Sequence, residues 1–357
     1  MDKIIGLIDI DYFYAQCEII KNPELKNKPV VIFVETIREG SGVVATSNYL
    51  ARKLKISSGM PFSLAKRLAD KNTVFIKSDK DYYEEISKKV FEIIDYFLEN
   101  VEQVSIDEAY IDLTNNEGFD KSVEIVKKIK ERIKSETGLT CSVGISFNKF
   151  LAKMASNEKK PDGLYVIKKP DYLNYLKNKP IDLLPGVGEK IKDNLNKIGV
   201  KQILDLNNKS LDELIVILGQ AKAKTFFSFV NGVDDRLVIS NREKQQISKL
   251  MTLKKDSLIL EEILPTLYLM CDLISVEVNK SKKSFRTCSL IIINSKFETI
   301  TKSKTINDFI SVSKLKEIEY LLLKEYLDEY KFAIRRIGVK VSNFNIDFGA
   351  QKKLFEF

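Results

Sequence analysis

The chain of 357 residues carries 44% hydrophobic and 30% charged residues, the balance of a globular protein with room for two or three hydrophobic cores. It has no histidine, which excludes Ser-His triads, histidine-ligated zinc and histidine general bases; Cys17, Cys141, Cys271 and Cys288 are scattered, as reduced core thiols would be. The net charge of +8 is uneven, with nineteen Lys and Arg against thirteen Asp and Glu over residues 240–345, so charge alone leaves open a polyanion-binding module and a solvated lysine-rich surface.

In chain order, Ile4–Ile8 is a mostly apolar run that reads as a buried strand ending at Asp9, with a helix over Tyr12–Ile20 after it. Val30–Val34, Gly42–Ala45 and Val74–Ile76 read as strands, and Thr46–Leu54 and Phe62–Ala69 as helices, in a smaller insertion around residues 22–77. A helix over Tyr82–Leu98 leads to Val101–Ile106 and Ala109–Leu113, the arms of a hairpin with Asp107 and Glu108 between them. A helix over Ser122–Ser135, a strand over Cys141–Ser146, a helix over Lys149–Asn157 and a strand over Leu164–Ile167 complete an α+β sheet domain. Residues 170–232 read as helical, broken at Leu184-Pro185-Gly186-Val187-Gly188, and polar Ser240–Gln246 reads as a linker. Strands over Ile247–Lys254, Arg286–Asn294 and Ile334–Ser342, with helices over Leu258–Val278 and Ser313–Tyr330, make a second α+β unit before a short tail. No run of about 18 apolar residues and no basic-then-apolar leader is present, so a cytoplasmic protein without a membrane span is expected.

The acidic residues carry the chemistry. Asp9 ends an apolar strand, where a buried acid needs a partner. Adjacent side chains on a regular strand point to opposite faces, so Asp107 and Glu108 converge only if the backbone turns between them. Carboxylates at strand ends, without imidazole, fit a hard divalent cation such as Mg²⁺ and hence phosphoryl transfer.

The motifs Asp9-Ile10-Asp11-Tyr12-Phe13-Tyr14 and Ser105-Ile106-Asp107-Glu108-Ala109-Tyr110 resemble those of the Y-family translesion DNA polymerases, in the DinB or polymerase IV branch with an archaeal flavour. The resemblance runs from residue 1 to about residue 345 and takes in Ala45–Lys53, Ser142–Ser146, Lys160–Gly163 and Ile334–Val339. It implies an α+β, right-hand polymerase. The ferredoxin-like palm would span residues 1–21 and 78–168, small fingers 22–77 and a helical thumb with a helix-hairpin-helix 169–236. A linker over 237–247 and a separate α+β C-terminal little finger over 248–344 would precede a tail over 345–357.

By the same resemblance Asp9, Asp107 and Glu108 are catalytic and, with the Ile10 carbonyl, ligate two Mg²⁺ ions. Asp11 is read as a local hydrogen-bonding group. Thr46, Tyr49, Arg52 and Lys160 correspond to triphosphate contacts, and the spacing of the first three puts them near one helical face. Tyr14 corresponds to the steric gate that excludes a ribose 2′-hydroxyl. Val34, Val43, Ala45 and Gly59 correspond to the small residues that roof the nascent base pair and tolerate damaged templates, which implies low fidelity.

Gly186 and Gly188 would approach a DNA phosphate, and Leu218–Lys222 reads as a degenerate second copy of that motif. Lys282, Lys283, Arg286, Lys302, Lys304, Arg335 and Arg336 are candidate duplex-backbone contacts. Gln351, Leu354 and Phe357 resemble a sliding-clamp peptide. The expected partners are primer-template DNA, deoxynucleoside triphosphates and a clamp, for a monomeric enzyme. A palm-type nucleotidyl cyclase and a non-catalytic DNA-binding scaffold are the alternative readings.

Overall fold

In the computed structural model the described residues are 3–38, 40–240, 244–310 and 314–344. The chain divides into two compact units, one of residues 1–33, 44–60 and 65–242, the other of residues 34–43, 61–64 and 243–357. It opens with β1 (Ile5–Ile10), α1 (Phe13–Lys21), β2 (Val30–Glu35), β3 (Gly42–Ser47), α2 (Tyr49–Lys53), α3 (Phe62–Leu68) and β4 (Val74–Lys77). Next come α4 (Lys80–Phe97), β5 (Val101–Gln103), β6 (Glu108–Asp112), α5 (Phe119–Thr137), β7 (Cys141–Ser146), α6 (Lys149–Ser156) and β8 (Leu164–Val166).

Five of these strands form a sheet in the order β5-β6-β1-β7-β8, with β1 antiparallel to both β6 and β7. Its middle strands β1 and β7 are buried at every position, which accounts for their lack of polar alternation. One face packs on α4 and α5 through Tyr83, Val90, Ile94, Val126 and Ile129. Helix α6 lies against the other face so closely that a Cβ on Gly144 would stand 2.1 Å from the Ala152 carbonyl oxygen. Only glycine permits that approach. A second sheet, β3-β2-β4, lies beside a small cluster of Val31, Val44, Ala51, Ile56 and Ala65.

Helices α7 (Tyr172–Leu176), α8 (Glu189–Lys197), α9 (Leu211–Leu218) and α10 (Gln220–Val230) bury Leu176, Leu195, Leu214 and Phe226 in a core of their own. That core is joined to α6 by the stacked rings of Phe150 and Phe229, 4.6 Å apart. The chain after α10 is anchored as well. Asp234 accepts the Phe150 backbone N–H at 2.9 Å and pairs with Arg236 at 2.7 Å. The Ile239 N–H donates to Glu102 at 2.8 Å, and Glu102 forms a buried ion pair with Lys149 at 2.5 Å.

The second unit contains β9 (Gln246–Ser257), α11 (Leu260–Ser281), β10 (Phe285–Asn294), β11 (Thr299–Ile310), α12 (Leu315–Glu329) and β12 (Ile334–Phe344). Its antiparallel sheet runs β11-β10-β12-β9, with α11 and α12 packed on the face that carries Cys288, Leu290, Ile292, Ile337 and Val339. Strand β11 is not among the sequence expectations: it is an edge strand, mostly exposed and rich in Lys, Thr and Ser, so it lacks an apolar stripe. Ser313, the expected start of the last helix, lies outside the described residues, as do Gln351, Leu354 and Phe357. No described helix is long and apolar enough to cross a membrane.

Candidate active site

Strands β1 and β6 pair with Asp9 directly opposite Glu108. Opposed residues of an antiparallel pair project from the same face, so register alone brings these two carboxylates together. Asp107 precedes β6 in the turn. Its carbonyl accepts the Ile10 N–H at 2.9 Å, and its carboxylate accepts the Ser105 hydroxyl at 2.6 Å. The chain bends over Ser105–Asp107, but the Asp107 carboxylate stays on Ser105 and does not join Asp9 and Glu108.

Two ammonium groups meet these acids. Lys153 of α6 lies 3.2 Å from Asp9 and 2.5 Å from Glu108, and Lys160 pairs with the second oxygen of Asp9. Burial raises the Glu108 carboxyl above its ordinary range, against the pull of Lys153. Burial works against the Lys153 ammonium, but Asp9 and Glu108 together outweigh it and raise its pKa. Both shifts are upward because Lys153 answers to two carboxylates, whereas Glu108 also bears repulsion from Asp9 and Asp107. Asp9 and Glu108 thus converge on a single cation, a measure of how the pair would meet a metal ion. Among the described residues, no three acidic or thiol side chains gather closely enough to form a ligand set, since Asp107 is turned to Ser105.

Lys153 has no place in the sequence-based site. On sequence it is one of two lysines of α6 with nothing to distinguish it; the structure shows every other residue of that helix buried. Asp11 is a hydrogen-bonding group, but its partners are distant in sequence and not local as expected. Fully buried, it accepts from the Ser142 hydroxyl at 2.7 Å, the Thr140 hydroxyl at 2.9 Å and the Asp162 backbone N–H at 2.8 Å. It thereby fixes the loop that presents Lys160.

Asp9 and Asp107 line a cleft of about 420 Å³ together with Tyr14, Thr46, Tyr49, Arg52 and Lys160. One expectation is corrected here. Thr46, Tyr49 and Arg52 do not share a helix, because Thr46 belongs to β3 and α2 starts only at Tyr49. Asn48 is extended and its side chain accepts the Ala51 N–H at 3.0 Å, a cap that sets the helix start. The three residues reach one cleft from a strand end and the helix after it. The Tyr49 hydroxyl is buried without a hydrogen-bond partner, and burial, with Asp11 next, pushes its pKa up to about 12. The Arg52 guanidinium lies 4.9 Å over the Tyr49 ring. Of the small residues, Ala45 lines the cleft; Val34 and Val43 are exposed on β2 and β3, and Gly59 is exposed at φ +84°.

Gly186 turns the chain at φ +95°, and Gly188 is the N-cap of α8. Gly219, at φ +77°, separates α9 from α10. In the second unit the basic candidates divide between faces. Arg335 and Arg336 are neighbours on β12 at a register shift between Ile334 and Arg336, so simple alternation does not separate them: both are half-buried between buried Ile334 and Ile337. Arg335 pairs with Asp256 at 3.6 Å and lies over the Phe297 ring. Register places Arg336 on the sheet face away from the helices, on the same side as Lys340, and its Nε is buried without a partner. Lys302 faces the other way, opposite buried Leu290, and pairs with Glu329 at 2.8 Å. Lys304, opposite buried Cys288, shares that side. Lys282 ends α11 at φ +51°, Lys283 lies 5.8 Å over the Phe344 ring, and Arg286 lies 4.3 Å over that of Phe309.

A model of the impB/mucB/samB family matches residues 8–157, that of its C-terminal domain matches residues 244–354, and one described as the DNA polymerase-iota thumb domain matches residues 182–234. A DNA polymerase IV of Nitrosopumilus maritimus is 37% identical over 346 residues, 95% of each chain. One of Clostridium perfringens is 37% identical over 344 residues, 96% of this chain and 94% of its own. Among solved structures, a Y-family DNA polymerase chimera of Dbh and Dpo4 is similar with a TM-score of 0.88 and 32% identity, over 96% of this chain and 100% of that one. DinB from Sulfolobus solfataricus is similar with a TM-score of 0.68 and 33% identity, over 95% and 98% of the two chains.

Proposed function

Since the chain belongs to the impB/mucB/samB family of Y-family polymerases and is a translesion DNA-directed DNA polymerase, we propose that Asp9, Asp107 and Glu108 are its catalytic carboxylates and hold two Mg²⁺ ions with the Ile10 carbonyl. The observation that carries this is the register of β1 on β6, which sets Asp9 opposite Glu108 so that both meet one cation, Lys153, with Asp9 also lining the cleft. Bound there, the ions supply charge neutralisation and polarisation of the reacting phosphoryl group. The remaining chemistry belongs to the chain. Asp107 enters by releasing Ser105, at the cost of one hydrogen bond. Thr46, Arg52 and Lys160 bind the triphosphate, and the unpartnered Tyr49 hydroxyl donates to it, which relieves its desolvation. Tyr14 forms the steric gate against a ribose 2′-hydroxyl. No side-chain general base is needed, in keeping with a protein that has no histidine.

The palm comprises residues 1–21 and 78–168, the fingers 22–77, the thumb 169–236 and the little finger 248–344. Gly186, Gly188 and the basic groups of the second unit hold primer-template DNA by its phosphates. Gln351, Leu354 and Phe357 bind a sliding clamp. Extension of a primed template with Mg²⁺ tests the whole assignment. Wild type extends, whereas Asp107→Ala binds the template with unchanged affinity and extends below detection; extension by that variant refutes the carboxylate roles. A chain ending at residue 349 keeps basal extension and loses stimulation by a clamp, and persistent stimulation removes the tail from the assignment.

A further inference from the structure

Behind Tyr14 lies an arrangement that the catalytic reading does not use. The Tyr14 ring is stacked on that of Tyr83, with centroids 4.4 Å apart and planes 15° from parallel. Tyr83 belongs to α4 and is fully buried. Its hydroxyl donates at 2.9 Å to Glu18, itself buried and one turn beyond Tyr14 on α1. Tyr83 therefore touches two residues of one face of α1, at positions i and i+4. Phe13 meets the Tyr83 ring edge-on at 6.5 Å. One turn further along α4, the Ser87 hydroxyl donates to the Ile106 carbonyl beside Asp107 at 2.5 Å. A single helix thus braces both the aromatic ring in the cleft and the turn that carries a catalytic carboxylate.

A steric gate works only if its ring cannot retreat. Close-packed interiors leave no room for a side chain to back away unless a neighbour is removed. Here the space behind Tyr14 is filled by the Tyr83 ring, which is in turn pinned at its far end by Glu18. We propose that Tyr83 is a specificity-determining positioning residue that sets the polymerase's choice between deoxy- and ribonucleotides by holding the Tyr14 ring forward in the cleft. The inference rests on the assignment of Tyr14 as the gate. Removing the Tyr83 ring opens a cavity on the core side of Tyr14, into which the gate ring turns, and the room gained is that needed by one hydroxyl.

Single-nucleotide insertion opposite one template base, with the matched deoxy- and ribonucleoside triphosphates, tests this through the ratio of their kcat/KM values. A general loss of fold lowers both values and leaves the ratio unchanged, so the ratio separates positioning from stability. Tyr83→Leu is expected to lower discrimination about tenfold, the lower end for one small group in a tight pocket. Tyr83→Phe keeps the ring, loses only the Glu18 bond and serves if the leucine variant does not fold; it is expected to lower discrimination about threefold. Tyr14→Ala is run beside them. If it relaxes discrimination while both Tyr83 variants match wild type, Tyr83 has no such role and Tyr14 keeps its own. If Tyr14→Ala also leaves the ratio unchanged, the gate assignment itself fails.

Discussion

Glu319 of α12 is fully buried, and neither of its carboxylate oxygens has a hydrogen-bond partner. Burial pushes its carboxyl up to about 8, so the folded protein keeps it neutral at pH 7. In the unfolded chain the same group ionises near pH 4.3. Between these values the folded state holds a proton that the unfolded state has released, so stability falls as pH rises, by roughly 1.4 kcal/mol per pH unit from this group. Below the unfolded value the penalty vanishes. Glu319→Gln removes the ionisation at nearly constant shape. Its melting temperature is expected to exceed wild type by several degrees at pH 8 and to match it at pH 4.5; equal gains at both would mean that the amide acts through packing. The same scale shows what single residues disclosed. Asp9, Asp107 and Glu108 stood out because acids beside apolar strands are costly, whereas Lys153 looked like any lysine on a helix until register placed it between two of them.

At the scale of elements, β1 and β7 could be read from sequence because mostly apolar runs mark strands covered on both faces, and β6 because it follows as the second arm of a hairpin. Edge strand β11 could not, and α2 starts three residues later than expected because Asn48, a good cap, follows a strand that continues through Ser47. Long-range ion pairs are also beyond sequence periodicity. The Glu102–Lys149 pair joins β5 to α6 forty-seven residues apart, with both side chains 5% exposed. Its net contribution to folding is small, because two desolvated charges offset their own attraction, but either one alone is costly. Lys149→Met is therefore expected to cost about 3–5 kcal/mol in denaturant unfolding, and adding Glu102→Leu to recover most of it. Recovery stops short of complete because Glu102 also accepts the Ile239 N–H. A double variant as unstable as the sum of the singles would show that the pair is not coupled.

For the molecule as a whole, residues 240–345 carry six of the eight net positive charges. Sequence could not say which of these lysines and arginines meet DNA, because strand alternation sends neighbours to opposite faces. Arg336 and Lys340 share the sheet face away from α11 and α12, while Lys302 is turned to α12 and neutralised by Glu329. A phosphate contact releases condensed counterions, so each one adds close to one unit to the slope of log affinity against log salt. Titrating primer-template DNA across a range of salt concentrations should therefore separate the three residues. Arg336→Ala and Lys340→Ala are each expected to weaken binding uniformly across sequences and to reduce the slope by about 1. Lys302→Ala is expected to leave the slope unchanged, since its charge is already committed within the domain. A loss of slope at Lys302 equal to that at Arg336 would place the DNA on the helix side of the sheet edge instead.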